Sequence, residues 1–376
     1  MWQFPYYTPG HALPWEQMDR ELDWLREMRG VPQDPVWHGE GDVHTHTRMV
    51  AEALTELGEF QALPADRQHM LLAAALLHDV EKRSTTVTEL IEGEERITAP
   101  GHARRGAQTA RDWLYRACPA PFAVREAIVQ LVRLHALPLH AIEKPDPRQA
   151  VITASCLTDT ALLGLLARAD VLGRIAPDQE KLLLHAALFE ELCKEHECYG
   201  QARAFPSAYG RWLYLNRDGY APDYEPYEDH RFEVVILSGL PGAGKDRYLR
   251  QLPDLPVISL DDIRRELKID PADRRRNGQA VQLGKERARE LLRRRQGFVF
   301  NATNVTAELR GIWISLCLEY KARVRIVYIE VPYRQLLRQN AEREHPVPAS
   351  TLERLILKLE PPTVLEAHTV EHITEG

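Results

Sequence analysis

The chain has 376 residues, 44% of them hydrophobic and 27% charged, so it is long enough for two domains that each bury a core. This composition excludes a disordered chain, and no apolar run reaches the roughly 18 residues that a membrane span needs. The formal charge of −7 divides into −12 on residues 1–230 and +5 on residues 231–376, and most histidines lie in the acidic part. The acidic part therefore suits cations, and the basic part suits phosphates or a nucleic-acid backbone.

The amino-terminal sequence and the cysteines indicate the compartment. Residues 1–17 lack the basic start and continuous apolar stretch of a signal peptide, which predicts a cytoplasmic protein with no membrane partner. The five cysteines show no CxxC pair or regular framework, so neither structural zinc nor a disulfide scaffold is expected.

The pattern of hydrophobic residues changes once along the chain and predicts a multidomain protein. Ala/Leu-rich segments such as HMLLAAALLHDV have helical periodicity and predict an all-α helical bundle over residues 1–215. A stretch rich in Tyr, Pro and acidic residues, 216–230, is predicted to be a linker. In residues 231–376, short β-rich runs such as EVVILSGL and VRIVYIEV alternate with charged helical segments, which predicts an α/β domain with a parallel sheet.

Residues suited to binding a divalent metal lie on the apolar faces of the predicted helices. His78 and Asp79 end the apolar run LLAAALL, where hydrated charges are unfavourable unless an ion pairs with them. His46, His135 and Asp170 each follow apolar residues at helical spacing, so their side chains are predicted to point inward. A single inward histidine is more often a hydrogen-bonded core residue, whereas the whole set favours a metal site.

Two further residues extend this candidate metal site. His102 lies near a helix start, in phase with Gly106, Thr109 and Trp113, so its orientation stays open. Lys82, in the segment HDVEK, either neutralises a phosphate oxygen or is a solvated lysine at a helix end. Imidazole and carboxylate ligands suit a metal that lowers the pKa of bound water, so the predicted reaction is phosphoester hydrolysis.

The helical part resembles the HD-domain phosphohydrolases across residues 40–175. Four residues match the H…HD…D pattern of that family: His46, His78, Asp79 and Asp170. The resemblance implies a helical bundle with one or two divalent metals, with Mn²⁺, Co²⁺ and Ni²⁺ as candidates, and it implies that His102 and His135 support the second metal. Members of the family act on nucleotides, cyclic dinucleotides and RNA 2',3'-cyclic phosphates, so the motif predicts the chemistry and leaves the substrate open.

The segment VVILSGLPGAGKDRYL has the form strand, glycine-rich loop and helix, and it fits the phosphate-loop motif GxxxxGK. Backbone N–H groups and the helix start bind phosphates in such a loop, and the lysine reaches the outer phosphates. The predicted nucleotide-binding residues of the loop are Gly239, Gly242, Ala243, Gly244, Lys245 and Asp246. Asp246 stands where the motif has the Ser or Thr that ligates Mg²⁺, so either a carboxylate holds the metal, directly or through water, or nucleotide binding is lost.

Three later segments place polar residues near the same predicted sheet edge. The strand PVISL delivers Asp261 and Arg264, and Asp261 is either the general base of a kinase or the cap of the following helix. The next strand ends at NATN and adds Asn304. The segment LRQNAEREHPVP brings Arg338 and Arg343 onto a polar helix, where a lid is expected to close over a triphosphate.

The segments GLPGAGKD, SLDDIR, NATN and LRQNAER resemble the 5'-OH polynucleotide kinases in order and spacing. The resemblance implies that Asp261 is the general base, that Arg264 holds the acceptor and that Arg343 contacts the donor phosphates. Asn304 then corresponds to the asparagine of the third-strand motif, and Arg338 aligns loosely with a lid position. Over nearly the entire chain, the order of an HD domain and a kinase resembles the bacterial HD-Pnk proteins.

This resemblance implies a bifunctional enzyme that heals RNA ends. The HD domain would remove a 2',3'-cyclic phosphate or 2'-phosphate, and the kinase would use Mg²⁺ with ATP or another NTP to phosphorylate a 5'-OH, leaving ends for a separate ligase. Whether DNA also serves stays open. Two alternatives remain: a nucleotide or metabolite phosphohydrolase fused to a small-molecule kinase, and a nucleotide-gated regulatory protein.

Overall fold

The computed structural model describes residues 2–252, 254–270 and 273–374. The chain divides into two compact units, Met1–Arg203 and Ala204–Gly376. The division lies before the helix Ala208–Asn216, whereas the sequence places the domain boundary at residue 215. The helix groups with the second unit because Arg211 donates a hydrogen bond to the carbonyl of His368 at 2.8 Å and Asn216 donates one to the carbonyl of Leu365 at 2.9 Å.

The first unit is built mainly of helices that pack around a buried apolar core. Its α-helices are α1 (Trp15–Glu21), α2 (Asp23–Arg26), α3 (Val43–Glu56), α4 (Gly58–Gln61), α5 (Ala65–Leu77), α6 (Lys82–Thr85), α7 (His102–Arg116), α8 (Phe122–Leu134), α9 (Leu137–His140), α10 (Pro147–Ser155), α11 (Thr160–Leu172) and α12 (Gln179–Glu195). A 3₁₀ turn follows α9 at Ala141–Glu143.

Apolar residues and side-chain caps explain where the principal helices form. Helix α5 buries every residue from Leu71 to Leu77, as expected of a helix at the centre of a bundle. Helix α3 begins where the carboxylate of Asp42 accepts a hydrogen bond from the N–H of Thr45, and Asp159 caps α11 in the same way. Among the described residues no single helix is long and apolar enough to cross a membrane. The helices α10 and α11 together have the required length and composition, but their axes are bent by 111°.

A short hairpin interrupts the helices of the first unit. Strands β1 (Val87–Ile91) and β2 (Glu94–Thr98) pair antiparallel, with Ile91 opposite Glu94. Glu92 and Gly93 between them have φ angles of 53° and 88°, as a two-residue hairpin turn requires. The hairpin corrects the prediction of helices alone in this unit, and its β-branched residues and Glu-Gly turn are the physical reason for it.

The second unit is an α/β domain with a parallel sheet, as predicted. In the described residues its strands run in the order β4-β5-β3-β6-β7 and all pair in parallel. The strands are β3 (Glu233–Ser238), β4 (Val257–Ser259), β5 (Phe298–Asn301), β6 (Arg323–Glu330) and β7 (Thr369–Thr374). The helices are α13 (Ala208–Asn216), α14 (Lys245–Leu249), α15 (Leu260–Glu266), α16 (Arg274–Arg293), α17 (Ala307–Glu319), α18 (Tyr333–Ala341) and α19 (Ala349–Leu357).

Strand register brings the ends of three strands to one edge of this sheet. Leu237 lies opposite Asn301, and Asn301 lies opposite Ser259. The central strand β3 is buried from Val234 to Ser238, which explains its continuous apolar sequence. The carboxyl ends of β3, β4 and β5 therefore share one edge, where ligands of parallel sheets bind.

Candidate functional site

The six predicted metal ligands come from five helices of the first unit and meet at one point. His46 lies on α3 and Asp170 on α11, while α5 and α8 end at His78 and His135, and α7 begins at His102. All except the half-buried His102 are buried. The structure thus brings together the complete set that the sequence proposed, including the residue whose orientation was open.

Asp79 lies between two groups of these ligands. Its Oδ2 is 3.3 Å from Nε2 of His78 and 3.6 Å from Nε2 of His46, and Nε2 of His46 is 3.2 Å from Oδ1 of Asp170. Its Oδ1 is 3.3 Å from Nε2 of His102 and 3.8 Å from Nε2 of His135. The two oxygens of one carboxylate thus face two separate sets of ligand atoms.

These separations fit metal coordination. Ligand atoms about 2.1 Å from a tetrahedral metal lie about 3.4 Å from one another. Oδ1 of Asp79 is also buried without a hydrogen-bond partner among the described residues, which is unfavourable for an ionised carboxylate unless a cation fills the space. The ligand atoms on either side of Asp79 therefore fit the donor set of a divalent-metal site.

Hydrogen bonds hold each histidine with Nε2 directed to the site. The Nδ1–H groups of His78, His102 and His135 donate to carbonyls in their own chain neighbourhood, at 2.7, 2.7 and 2.8 Å. Nδ1 of His46 instead donates to the carboxylate of Glu40 at 2.8 Å. Because a carbonyl or carboxylate only accepts, the proton of each neutral ring lies on Nδ1, and Nε2 then carries the lone pair that a metal requires.

Burial and neighbouring charges set the protonation of these ligands. Burial would raise the pKa of Asp79, but the charge of Lys82 holds it well below its usual range. Burial lowers the pKa of His135 to about 4. Asp79 is therefore a carboxylate and His135 a neutral imidazole at physiological pH, which are the forms that bind metals.

Lys82 lies against the metal-ligand cluster. Its Nζ is 2.7 Å from Oδ2 of Asp79 and donates a hydrogen bond to Oε1 of Gln33 at 2.7 Å. The side chain is mostly buried. The lysine is thus part of the site rather than a solvated residue at a helix end.

The predicted phosphate loop follows β3 and ends at the first residue of α14. Gly239, Gly242 and Gly244 have φ angles of 149°, 85° and 103°, a region that side chains disfavour. A Cβ atom on Gly239 would lie 2.4 Å from the carbonyl oxygen of Ile329, so only glycine fits there. Ala243 is buried within the loop, and its N–H donates to the carbonyl of Leu240 at 3.1 Å.

Lys245 folds back onto this loop. Its Nζ donates to the carbonyls of Gly239 and Leu240 at 2.8 and 2.9 Å. Burial lowers the pKa of Lys245 to about 8, while the nearby charges of Asp246 and Asp261 act in the opposite direction. The ammonium group that would contact a phosphate at the loop therefore loses its proton more readily than that of an ordinary lysine.

Asp261 and Arg264 lie at the same sheet edge, in the first and last turns of α15. The cap of α15 is Ser259, not Asp261: the Ser259 hydroxyl accepts a hydrogen bond from the N–H of Asp262. Nη1 of Arg264 is 2.5 Å from Oδ1 of Asp261, and its Nε donates to Oδ1 of Asn277 at 2.8 Å. The side chain of Asp261 is 73% exposed, so its carboxylate is accessible to a substrate.

Two other predicted kinase residues, Asp246 and Asn304, differ in their exposure and in their contacts. Asp246 is exposed, and Nδ2 of Asn301 donates to its Oδ1 at 3.1 Å, which holds the carboxylate beside the loop. Asn304 is buried, and its Nδ2 donates to the carbonyl of Leu237 at 2.8 Å. The contacts of Asn304 support the end of β3, and its contact with a nucleotide stays a prediction.

The carboxyl end of α18 packs against the phosphate loop. A Cβ atom on Gly242 would lie 3.2 Å from the backbone nitrogen of Asn340. Arg343 follows this helix, and its charge adds to the effect of burial in lowering the pKa of Lys245. Arg338, on the helix itself, is exposed. A lid role for either arginine stays a prediction.

Comparison with known proteins assigns each region to a family. Residues 43–175 match the HD domain, and residues 234–362 match an AAA domain of the type AAA_33. The chain is an HD domain joined to a P-loop kinase-like domain. The predicted combination of domains is confirmed.

One curated relative is the Multifunctional CCA protein of Halorhodospira halophila (strain DSM 244 / SL1), which is 36% identical over 124 residues. That match covers 33% of this chain and 26% of the relative, so the chain spans about a quarter of the relative's length.

Two solved structures also show similarity. A Pnkp1/Rnl/Hen1 complex is 22% identical with a TM-score of 0.29, covering 33% of this chain and 43% of that chain. A candidate kinase from Chloroflexus aurantiacus j-10-fl is 15% identical with a TM-score of 0.31, covering 39% and 86%.

The HD domain contains functional neighbours that sequence reasoning missed. Oε1 of Glu40 accepts hydrogen bonds from His38 and His46, both at 2.8 Å. Arg174 donates to Oδ1 of Asp170 at 3.1 Å and holds the pKa of that carboxylate low against the opposite effect of burial. Arg174 lies four residues after Asp170, so helical spacing was a usable signal, whereas Glu40 precedes its helix and had none.

Proposed function

We propose that this protein heals RNA ends with two active sites on one chain. Its HD domain hydrolyses 2',3'-cyclic phosphates and 2'-phosphates, and its kinase domain transfers the γ-phosphate of ATP or another NTP to a 5'-OH end. The observation that carries the proposal is the presence of both a His/Asp cluster around Asp79 and a phosphate loop with the exposed carboxylate of Asp261. The HD and AAA domain matches support the two chemistries.

The proposed hydrolase site uses the groups around Asp79. His46, His78 and Asp170 would hold one divalent metal, and His102 and His135 would hold a second, with Asp79 facing both groups. A divalent metal supplies activated water near neutral pH. Lys82 has three N–H donors, and its contacts with Asp79 and Gln33 leave one for a phosphate oxygen of the substrate.

The proposed kinase reaction assigns one task to each polar residue. Asp261 accepts the proton of the attacking 5'-hydroxyl, and Arg264, fixed by Asn277, orients the acceptor. Lys245 and Arg343 neutralise the charge on the transferred phosphoryl group. Asp246, held by Asn301, is the proposed ligand of the nucleotide's Mg²⁺ in place of the usual hydroxyl.

The proposed partners are RNA strands that carry a 5'-OH and a 2',3'-cyclic phosphate, with a separate ligase that joins the healed ends. The test uses one such strand with Mg²⁺, Mn²⁺, Co²⁺ or Ni²⁺, with and without ATP, and analyses both ends. The proposal predicts loss of the terminal phosphate with metal alone and phosphorylation of the 5' end only when ATP is present. A strand that stays unchanged at both ends with every metal contradicts it.

Two further substrates separate this proposal from its alternatives. A nucleoside acceptor preferred over RNA would favour a small-molecule kinase, and ATP binding without ADP formation on any acceptor would favour a regulatory protein. A DNA strand of the same sequence measures whether the sugar matters. The proposal predicts that the rate rises with the length of the acceptor.

A further inference from the structure

The segment 33–38 of the first unit is linked to the metal-ligand cluster at both of its ends through one intermediate residue, Lys82 at one end and Glu40 at the other. At one end, Oε1 of Gln33 accepts a hydrogen bond at 2.7 Å from Lys82, which itself contacts Asp79. At the other end, His38 donates to Glu40, the carboxylate that also holds His46. The residues between these two contacts therefore lie at the rim of the candidate site.

Gln33 presents an unused hydrogen-bond donor next to this site. An ammonium group only donates, so the oxygen of Gln33 must face Lys82 and the amide nitrogen must point elsewhere. That nitrogen, Nε2, is buried without a hydrogen-bond partner among the described residues, and the side chain as a whole is 7% exposed. A buried amide without an acceptor is unfavourable, and a phosphate oxygen of a substrate at the cluster would satisfy it.

Trp37 adds an aromatic surface at the same rim. It is 40% exposed, and the guanidinium carbon of Arg96 lies 5.8 Å from the centre of its ring. Arg96 is fixed in turn by Asp34, with Nε to Oδ2 at 2.6 Å and Nη2 to Oδ1 at 3.0 Å. An indole held by a fixed cation and partly open to solvent is a platform on which a nucleobase can stack.

We infer that the segment 33–38 is a nucleotide-binding subsite of the hydrolase, in which Trp37 stacks the base next to the scissile phosphate and Gln33 donates to that phosphate. The inference rests on the proposed hydrolase function and adds its substrate class, a phosphoester that carries an aromatic base. Substrates without a base lose the contact with Trp37 and keep the contact with Gln33.

The first test compares adenosine 2',3'-cyclic phosphate with ribose 2',3'-cyclic phosphate, which has no base. Trp37→Ala is expected to raise the KM for the adenosine compound about 10-fold or more, with kcat nearly unchanged and the KM for the ribose compound unaffected. Trp37→Phe is expected to restore most of the affinity. An equal effect on both substrates, or no effect on either, overturns the assignment of Trp37.

A matched control exists in the same unit. Tyr199 is 36% exposed and also carries a cation, Lys194, whose Nζ lies 5.2 Å from the ring centre. Tyr199 is outside the segment and the cluster, so Tyr199→Ala is expected to leave both KM values unchanged. If Tyr199→Ala reproduces the effect of Trp37→Ala, the effect is not specific to the subsite and the inference fails.

Gln33 is tested with two substitutions that separate its donor from its acceptor. Gln33→Glu keeps an oxygen for Lys82 and loses the N–H donor, and Gln33→Leu loses the donor without adding charge. Both are expected to raise the KM for the base-bearing and base-free substrates alike, because the phosphate is common to them. Unchanged KM values in both variants overturn the role of Gln33.

A binding measurement distinguishes failure of this inference from failure of the proposed function. If the unmodified protein hydrolyses no cyclic phosphate, the proposed hydrolase substrate is wrong, and calorimetric titration with adenosine 2'-phosphate and with ribose 5-phosphate still tests the subsite. Tighter binding of the adenosine compound that is lost in Trp37→Ala supports a base-stacking site. Equal affinities, unchanged by the substitution, contradict it.

Discussion

In the HD domain, the reactive groups are buried and lie at coordination distances from one another: His46, His78 and Asp79 are inaccessible, and their facing atoms are 3.3–3.6 Å apart. In the kinase domain, Asp261 keeps 73% of its side chain exposed, and Asp246 is also exposed. The first site is positioned by the same burial that stabilises the helical bundle. The second stands at a sheet edge, where its exposed carboxylates are accessible to ligands.

This contrast has an energetic reason. A metal compensates several buried polar groups at once, so it can be bound in the core of a domain. Phosphoryl transfer must admit two large substrates, so its residues stand on loops and first helical turns at the carboxyl ends of strands. Substitutions in the HD site should therefore change metal content and folding stability, whereas those in the kinase site should change the rate and leave the fold intact.

The largest effect is expected from Asp79→Asn. The substitution removes the charged carboxylate that faces both groups of proposed metal ligands, so hydrolysis should fall to background and bound metal, measured by elemental analysis, should be lost. Asp19→Asn is a matched control, because Asp19 pairs with His44 at 2.7 Å outside the cluster. Retained metal and hydrolysis in Asp79→Asn would show that Asp79 holds no metal.

In the kinase domain, Asp261→Ala removes the proposed general base. Phosphorylation of a 5'-OH should fall by about 10²–10⁴-fold while ATP binding and thermal stability stay near normal, since the side chain is exposed. Asp262→Ala is the control, because Asp262 is its neighbour and pairs with Arg265 instead. A near-normal rate in Asp261→Ala would remove Asp261 from the mechanism.

A smaller effect is expected from Glu40→Gln, which weakens the acceptor that holds Nδ1 of His46. Loss of such an orienting carboxylate should lower metal affinity by about 10–100-fold, measured by titration of the metal-depleted protein. Glu52→Gln, on the helix α3 that also carries His46, is the control, since Glu52 pairs with Arg48 at the surface. Equal metal affinity in both variants would mean that Glu40 does not position His46.

The smallest effect concerns Lys245, whose pKa is about 8 because burial disfavours its charged form. As pH rises through this value, the nucleotide-free protein loses the ammonium proton, and ATP affinity should weaken. Phosphate restores the charged form, so ATP binding at pH 8 should take up about half a proton, as calorimetry in buffers of different ionisation enthalpy would measure. Lys245→Met should abolish the uptake, and uptake that persists in this variant would assign it to another group.

The pKa of Lys245 also has a consequence for stability. Between about pH 8 and its ordinary value near 10.4, the unfolded chain holds a proton that the folded protein has lost. Stability attributable to this lysine therefore rises with pH across that window. The sign is opposite to that of a lysine stabilised by an ion pair.

The local sequence pattern was sufficient to predict many residues of both candidate sites. Helical phase identified His46, His135 and Asp170 as inward-facing, because a ligand must share the apolar face of its helix. The phosphate loop could be predicted because its glycines and lysine lie within one short segment of the sequence. The strands β3 to β6 were indicated by their β-rich composition.

The remainder depends on contacts between distant segments. Gln33 and Glu40 lie in an irregular segment, and nothing in their spacing shows that they contact Lys82 and His46. Asn304 carries a motif-like position, but its left-handed backbone, with φ of 47°, directs its amide to the carbonyl of Leu237. The motif thus identified Asn304 in the sequence, and only the fold shows which group its side chain contacts.

The most direct test of two separate end-healing sites uses the RNA strand with a 5'-OH and a 2',3'-cyclic phosphate, supplied with metal and ATP, and compares His78→Ala with Lys245→Ala. If the two sites act separately, His78→Ala loses only the reaction at the 3' end and Lys245→Ala loses only phosphorylation of the 5' end. Two results would contradict separate sites: a variant that loses both reactions, or two variants that both keep both reactions.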